Sequence, residues 1–372
     1  MKLVSLFKKF SLIFLVLFMI GCSTSDGSSS AVNTSTSDGS SSAAAAANTS
    51  TSDESSSAAN TSEKKFIVLA TTPMLGEFVK QVAKDNIDVR VLMPYGVDPH
   101  HFEPSPQDVK KIDEADLVFY VGLKYEPTAL NKLLHNASNS KQVLVEIGPQ
   151  VNPIEFGHDD HDDHDEHDDD KDKHDHDDED EHDEDEHDED KHEGHDHGTY
   201  DPHFWFDPNR VALAVDAIKE ELIKLDPENK NAYEEAANNY LEKLKALDQE
   251  IVALIESIPS DNRGIVTTHE SLGYLEDRYG LEVIATVIPS LTTEDGVTPK
   301  GLVEVIEEIK EHGIKVIFIE SESPTQSAEI VAREANAKLV SGLWVETLKE
   351  NQSYIDFLKT NVNLIVENLK EQ

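Results

Sequence analysis

Three histidines stand in three separate short motifs: Gly96-Val97-Asp98-Pro99-His100, Asp201-Pro202-His203-Phe204-Trp205-Phe206-Asp207-Pro208 and Thr267-Thr268-His269. Between the first two, the run from His158 to His197 holds eleven of the chain's seventeen histidines, set among Asp and Glu. Neutral imidazole is the commonest protein ligand for zinc and related ions. Histidines spread this widely imply a folded site with a metal-attracting segment beside it.

The local context of two motifs supports that reading. His100 follows Asp98-Pro99, and His203 follows Asp201-Pro202. Proline fixes its own φ and restricts the residue before it, so each imidazole sits on a stiffened turn. Ligands set in place beforehand lose less entropy on binding. A single histidine is more often a satisfied loop or core residue, but the repeated Asp-Pro-His context argues otherwise for these two. Asp207 reads as a helix N-cap. Asp98 and Asp201 read either as turn residues or as carboxylates that orient an imidazole. His101 ranks below His100, because the equivalent place in the second motif holds Phe204. His135 and His312 lie in helical contexts and are expected on the surface. Trp205 and Phe206 are expected to pack.

The elements that must position these groups begin near Lys64. Strands are expected at Phe66–Ala70, Asp88–Met93, Leu117–Val121 and Val143–Ile147, then at Ile265–Thr268, Val283–Val287, Val316–Glu320 and Lys338–Val340. Thr72-Pro73 opens a helix, Ser105 with Asp108 forms a capping box for another, and Asp207-Pro208 and Asp226-Pro227 cap two more. The helix after Asp226 is the longest. Its apolar stripe, Tyr233, Ala237, Tyr240, Leu244, Leu247, Ile251, Leu254 and Ile258, alternates four and three apart without a break. About thirty residues make roughly 45 Å of helix, enough to lie against two lobes. Further helices are expected at Ser271–Tyr279, Pro299–His312, Pro324–Asn336 and Gln352–Leu369. Alternation at this spacing means α/β architecture: two lobes of parallel β/α units joined by one long rigid helix, with a cleft between them. Ligands of open α/β sheets bind beyond the carboxyl ends of the strands. His269 follows one such end directly and His100 lies just past another.

The rest of the 372-residue chain is expected not to fold. Residues 1–21 read as a signal peptide, with Lys2, Lys8 and Lys9 before the apolar run Phe10–Ile20. The chain's only cysteine, Cys22, follows Gly21 and resembles the lipidated cysteine of a lipoprotein box. Residues 22–63, rich in Ser, Thr, Ala and Asn, read as a tether spanning roughly 35 Å. The organisation that follows is an N-terminal lobe over 64–228, carrying an insert at 157–199, a linking helix over 229–258 and a C-terminal lobe over 259–372. The net charge is −43. About half of it comes from the insert, and the remainder is still acidic, so nucleic acid is excluded as a partner. One cysteine leaves no internal disulfide.

The motifs Gly-Val-Asp-Pro-His100-His-Phe-Glu-Pro-Ser-Pro, Asp-Pro-His203-Phe-Trp-Phe-Asp-Pro and Thr-His269-Glu-Ser-Leu-Gly-Tyr-Leu-Glu resemble the metal-binding solute-binding proteins of ABC transporters, zinc-uptake type. The resemblance runs from about Lys64 to the C-terminus. It implies two α/β lobes around one long helix, with the metal between them on His100, His203 and His269. Manganese-type relatives usually carry Glu at the third position, so His269 favours Zn²⁺ over Mn²⁺. An acidic fourth ligand is usual near the end of the last strand. Glu346 is the candidate there, with Glu320 and Glu322 ranked below it.

The signal segment and Cys22 imply a chain, expected to be a monomer, held by its lipid at the outer face of the cytoplasmic membrane, and the resemblance implies that it serves a membrane permease and an ATPase. The His-rich insert would attract or sense zinc. A manganese or other divalent-metal receptor and a surface adhesin lipoprotein are the alternatives. An enzyme is not expected. His269-Glu270 lacks the second histidine of a zincin helix, and neither a Gly-x-Ser-x-Gly elbow nor a Walker-type loop occurs.

Overall fold

The computed structural model describes residues 65–137, 142–156 and 199–370. The readings for the signal peptide, Cys22, the tether and the insert histidines lie outside these residues.

The first four strands are β1 (Ile67–Ala70), β2 (Asp88–Val91), β3 (Leu117–Tyr120) and β4 (Val143–Glu146). They form one sheet in the order β2-β1-β3-β4, and every pairing is parallel. The second set is β5 (Gly264–His269), β6 (Glu282–Ile288), β7 (Val316–Glu320) and β8 (Lys338–Leu343). These form a second all-parallel sheet in the order β6-β5-β7-β8. β1, β3 and β7 are apolar on both faces because helices cover both sides of a parallel sheet. Each sheet reverses its strand order at its centre, between β1 and β3 and between β5 and β7. Both reversals open a crevice beyond the carboxyl ends of the strands.

The helices begin largely where the capping signals stand. Thr72 accepts from the Leu75 N–H at 3.2 Å and opens α1 (Pro73–Ala83). The Asp108 carboxylate accepts from the Ser105 N–H and hydroxyl at the start of α2 (Pro106–Glu114). α3 (Thr128–Ala137) follows β3 and has no counterpart among the helices expected from sequence. Asp207 accepts from the Asn209 N–H at 2.8 Å and opens α4 (Pro208–Leu225).

The expectation for Asp226 needs correction. It does not cap the long helix; Pro227–Asn229 forms a separate 3-10 turn, and α5 runs over Lys230–Glu256. The Asp226 carboxylate instead accepts from the Tyr233 hydroxyl at 2.6 Å. At about 40 Å, α5 packs against α1, α4, α6 (Gly273–Tyr279) and α9 (Tyr354–Leu369). Its stripe is buried from Tyr233 to Ile251, but near the end Ile255 faces inward and Leu254 is only half-buried. α7 (Pro299–Glu311) and α8 (Gln326–Ala335) cover the second sheet. One apolar core runs without a break from Val68 and Phe119 through α5 to Phe318 and Phe357. α9, last in the chain, packs against α1 as well as β7 and β8.

Candidate metal site

The sequence-predicted residues converge. His100 lies on the single 3-10 turn Pro99–His101 beyond β2, and His203 directly precedes the turn Phe204–Phe206 that leads into α4. His269 is the last residue of β5, and Glu346 follows β8. All four are at most 3 % exposed. One ligand atom from each lies within 4.8 Å of all the others, the only such group among the described residues. Two ligands about 2.0–2.1 Å from a shared tetrahedral centre stand roughly 3.3 Å apart. Glu346 Oε1 lies 3.7 Å from His100 Nε2, 3.1 Å from His203 Nε2 and 2.9 Å from His269 Nε2. The buried Nε2 atoms of His100 and His269 find no aligned hydrogen-bond partner. The donor set therefore fits a small divalent cation.

Each of the four residues is held by a neighbour, through its backbone or its side chain. Asp98 accepts from the His100 N–H at 2.9 Å and from the Thr293 hydroxyl at 2.7 Å, so it is a turn cap that also reaches the second half of the chain. Asp201 accepts from the His203 N–H at 2.8 Å and stands 2.7 Å from its Nδ1. Of the two roles considered for these carboxylates, Asp201 performs the orienting one. Glu320, ranked as a weaker ligand, holds the other face of His269 instead: its Oε2 lies 2.7 Å from Nδ1, and its Oε1 accepts from the His269 N–H at 3.1 Å. Glu322 accepts from the N–H groups of Val345 and Glu346, so it braces the Glu346 backbone. Burial, with the charge of Glu346 beside it, pushes the Glu322 carboxyl up to about 8.

Tyr125 went unnoticed in the sequence. Its hydroxyl donates to Glu346 Oε2 at 2.9 Å, and its ring stands edge-on to His100 and Trp205. Its position just beyond a β-strand was the one available signal. His135 and His312 are exposed, as expected, His101 is exposed too, and Trp205 is buried with its indole N–H on the Val345 carbonyl at 2.8 Å. A cavity of about 660 Å³ reaches His100 between the Lys124–Asn136 and Ser290–Asp295 segments.

Charge is concentrated at the centre. Burial lowers the His203 pKa, but the carboxylates of Glu346 and Asp201 outweigh it and lift the group to about 9. His269 is also raised, because Glu320 and Glu346 overcome its burial. Glu346 is held well below the usual carboxylate range: burial opposes this, and the imidazoles of His203 and His100 prevail.

Two parallel α/β sheets about a long helix, with three imidazoles and a carboxylate converging from both halves, define a two-lobed α/β protein with a candidate metal site. Residues 68–368 match the family model of the zinc-uptake complex component A, periplasmic, ZnuA, and the chain belongs to that family of metal-binding substrate-binding proteins of ABC transporters. It is similar to the manganese ABC transporter substrate-binding lipoprotein PsaA of Streptococcus anginosus, 28% identical over 320 residues, covering 83% of this chain and 91% of that protein. It is also similar to the metal ABC transporter substrate-binding lipoprotein FimA of Streptococcus parasanguinis, 27% identical, covering 82% and 90%. The fold matches the periplasmic zinc-binding protein TroA from Treponema pallidum, with TM-score 0.67, 22% identity and coverage of 82% of this chain and 99% of that one. The Mn-bound periplasmic metal-binding protein from candidatus Liberibacter asiaticus aligns with TM-score 0.65 and 25% identity, over 82% and 100% of the two chains.

Proposed function

We propose that this chain is an extracytoplasmic, lipid-anchored Zn²⁺ receptor that captures the ion on His100, His203, His269 and Glu346 and delivers it to an ABC-type permease and its ATPase. The observation that carries the choice of zinc is the donor set. Three imidazole nitrogens and one carboxylate oxygen suit tetrahedral Zn²⁺, and the Tyr125 hydroxyl already occupies the second oxygen of Glu346. Mn²⁺ favours more ligands and more oxygen among them. The names of the streptococcal relatives favour manganese as the second reading.

Cys22 is the proposed lipid attachment point, and residues 157–199 are the proposed zinc-attracting segment. The lobes, 64–228 and 259–372, are taken to turn only slightly about the helix between them, because one continuous core joins them.

Competitive titration of the intact chain and of a chain lacking residues 158–198 tests the reading. The expected result is one tight Zn²⁺ site in both, lost on His203→Ala, with weaker sites lost on deletion. Preference for Mn²⁺ would establish the second reading, and zinc binding indifferent to His203→Ala would overturn the site.

A further inference from the structure

Glu126 is a buried carboxylate, 3 % exposed, whose hydrogen bonds go to residues other than the four of the metal site. Three uncharged donors from other residues hold its side chain. Oε1 accepts from the Thr71 hydroxyl at 2.8 Å and the Val121 N–H at 2.7 Å, and Oε2 accepts from the Gly122 N–H at 2.9 Å. Thr71 directly follows β1, while Val121 and Gly122 follow β3. Glu126 therefore joins the two strands between which the sheet order reverses, where an open α/β sheet presents its ligands. In the other sheet Glu320 ends β7 and holds His269 at the end of β5. Each carboxylate thus ties together the ends of the two central strands of its sheet.

The backbone beside Glu126 is unusual. Gly122, Leu123 and Lys124 are consecutive left-handed residues, with φ of 76°, 52° and 64°. Side-chain-bearing residues resist this region, and it persists only where the surroundings impose it. Glu126 binds the first N–H of the turn and the one before it. Glu146 accepts from the Leu123 N–H at 3.1 Å, and the Tyr125 N–H closes the turn on the Gly122 carbonyl at 2.9 Å. The turn ends on Tyr125, whose hydroxyl reaches Glu346.

We propose that Glu126 is a positioning residue for the metal site: it imposes the left-handed turn that carries Tyr125 to Glu346, and so keeps Glu346 to a single coordinating oxygen. This deepens the reading of Glu346 as a ligand and rests on it. Glu126→Gln keeps the volume but replaces one acceptor by a donor that faces N–H or O–H groups, so the turn loses an anchor.

Co²⁺ serves as the probe, at one equivalent in the full chain, with the His203→Ala chain supplying the background from other histidines. Four-coordinate Co²⁺ absorbs strongly in the visible, and a fifth ligand weakens the bands. Glu126→Gln is expected to weaken them and to raise the zinc Kd about tenfold, as loss of groups behind a ligand does. In a Tyr125→Phe background the same change is expected to add less than about twofold.

A folded Glu126→Gln chain with unchanged bands and affinity overturns the proposal, and so do losses that multiply in the double variant. Should Glu126→Gln fail to fold, Thr71→Val removes one of the three donors, and the same non-additivity with Tyr125→Phe is required. A wild-type chain with no bands above the His203→Ala background would instead overturn the metal site itself.

Discussion

Asp201 grips His203 at two points with one oxygen: Oδ1 lies 2.7 Å from the ring Nδ1 and accepts from the backbone N–H at 2.8 Å. The ring is thereby turned so that Nε2 faces Glu346. The tie extends further, since the Asp201 N–H donates to the Ile154 carbonyl and the Asp201 carbonyl accepts from the Tyr274 hydroxyl at 2.8 Å. The residues flanking the insert, His203 and the helix after His269 are thus one hydrogen-bonded unit.

Asp201→Asn and Glu320→Gln are each expected to weaken zinc binding about 10–100-fold without abolishing it, because carboxylates behind ligating imidazoles fix their tautomer and basicity. His203→Ala should remove the tight site altogether. Competition against a chelator of known affinity reads all three, and an unchanged Kd in Asp201→Asn would remove that residue from the site.

Zinc affinity is expected to fall with pH from well above the ordinary imidazole range. His203 is lifted from 6.5 to about 9 by Glu346 and Asp201 against its burial, so between these values the metal-free protein holds a proton that zinc must displace. An unperturbed imidazole would place this decline near roughly 6.5. By the same linkage, the protonated His203 stabilises the metal-free fold fully below 6.5, and that contribution is lost as pH rises through about 9. Calorimetry at pH 7.5 in buffers of different ionisation enthalpy should show proton release on binding. An affinity flat between pH 7 and 9 would contradict it.

Gly122→Ala is expected to cost at least about 2 kcal/mol in urea unfolding. The position has φ of 76°, and a methyl group there would overlap the Glu146 carboxylate. The folded fraction should bind zinc more weakly, because the turn carries Tyr125. Wild-type stability would mean the turn relaxes freely.

Asp248 on α5 accepts from Arg278 at 2.8 and 3.0 Å, from the Tyr279 hydroxyl at 3.0 Å and from the Asn209 side chain at 3.0 Å. It joins α4, α5 and α6 without touching the metal site. Asp248→Ala should therefore lower stability by roughly 2 kcal/mol and leave the zinc Kd within about twofold. A large loss of affinity would show that this joint tunes the site.

Much of this protein is written locally. The Asp-Pro-His turns, the strand end at His269 and the caps at Thr72, Ser105 and Asp207 each depend on residues a few positions apart, and so does the stripe of α5. These determined the two α/β sheets, the connecting helix and the three imidazoles. Only the tertiary structure decided the rest. Glu346 meets Tyr125 across 221 residues of chain, and His269 meets Glu320 across 51. No local pattern marks such pairs, because each is made by two strand ends brought to one crevice. The pKa of His203 belongs to the same class. It is set by burial and by two carboxylates, Glu346 and Asp201, whose proximity exists only after folding.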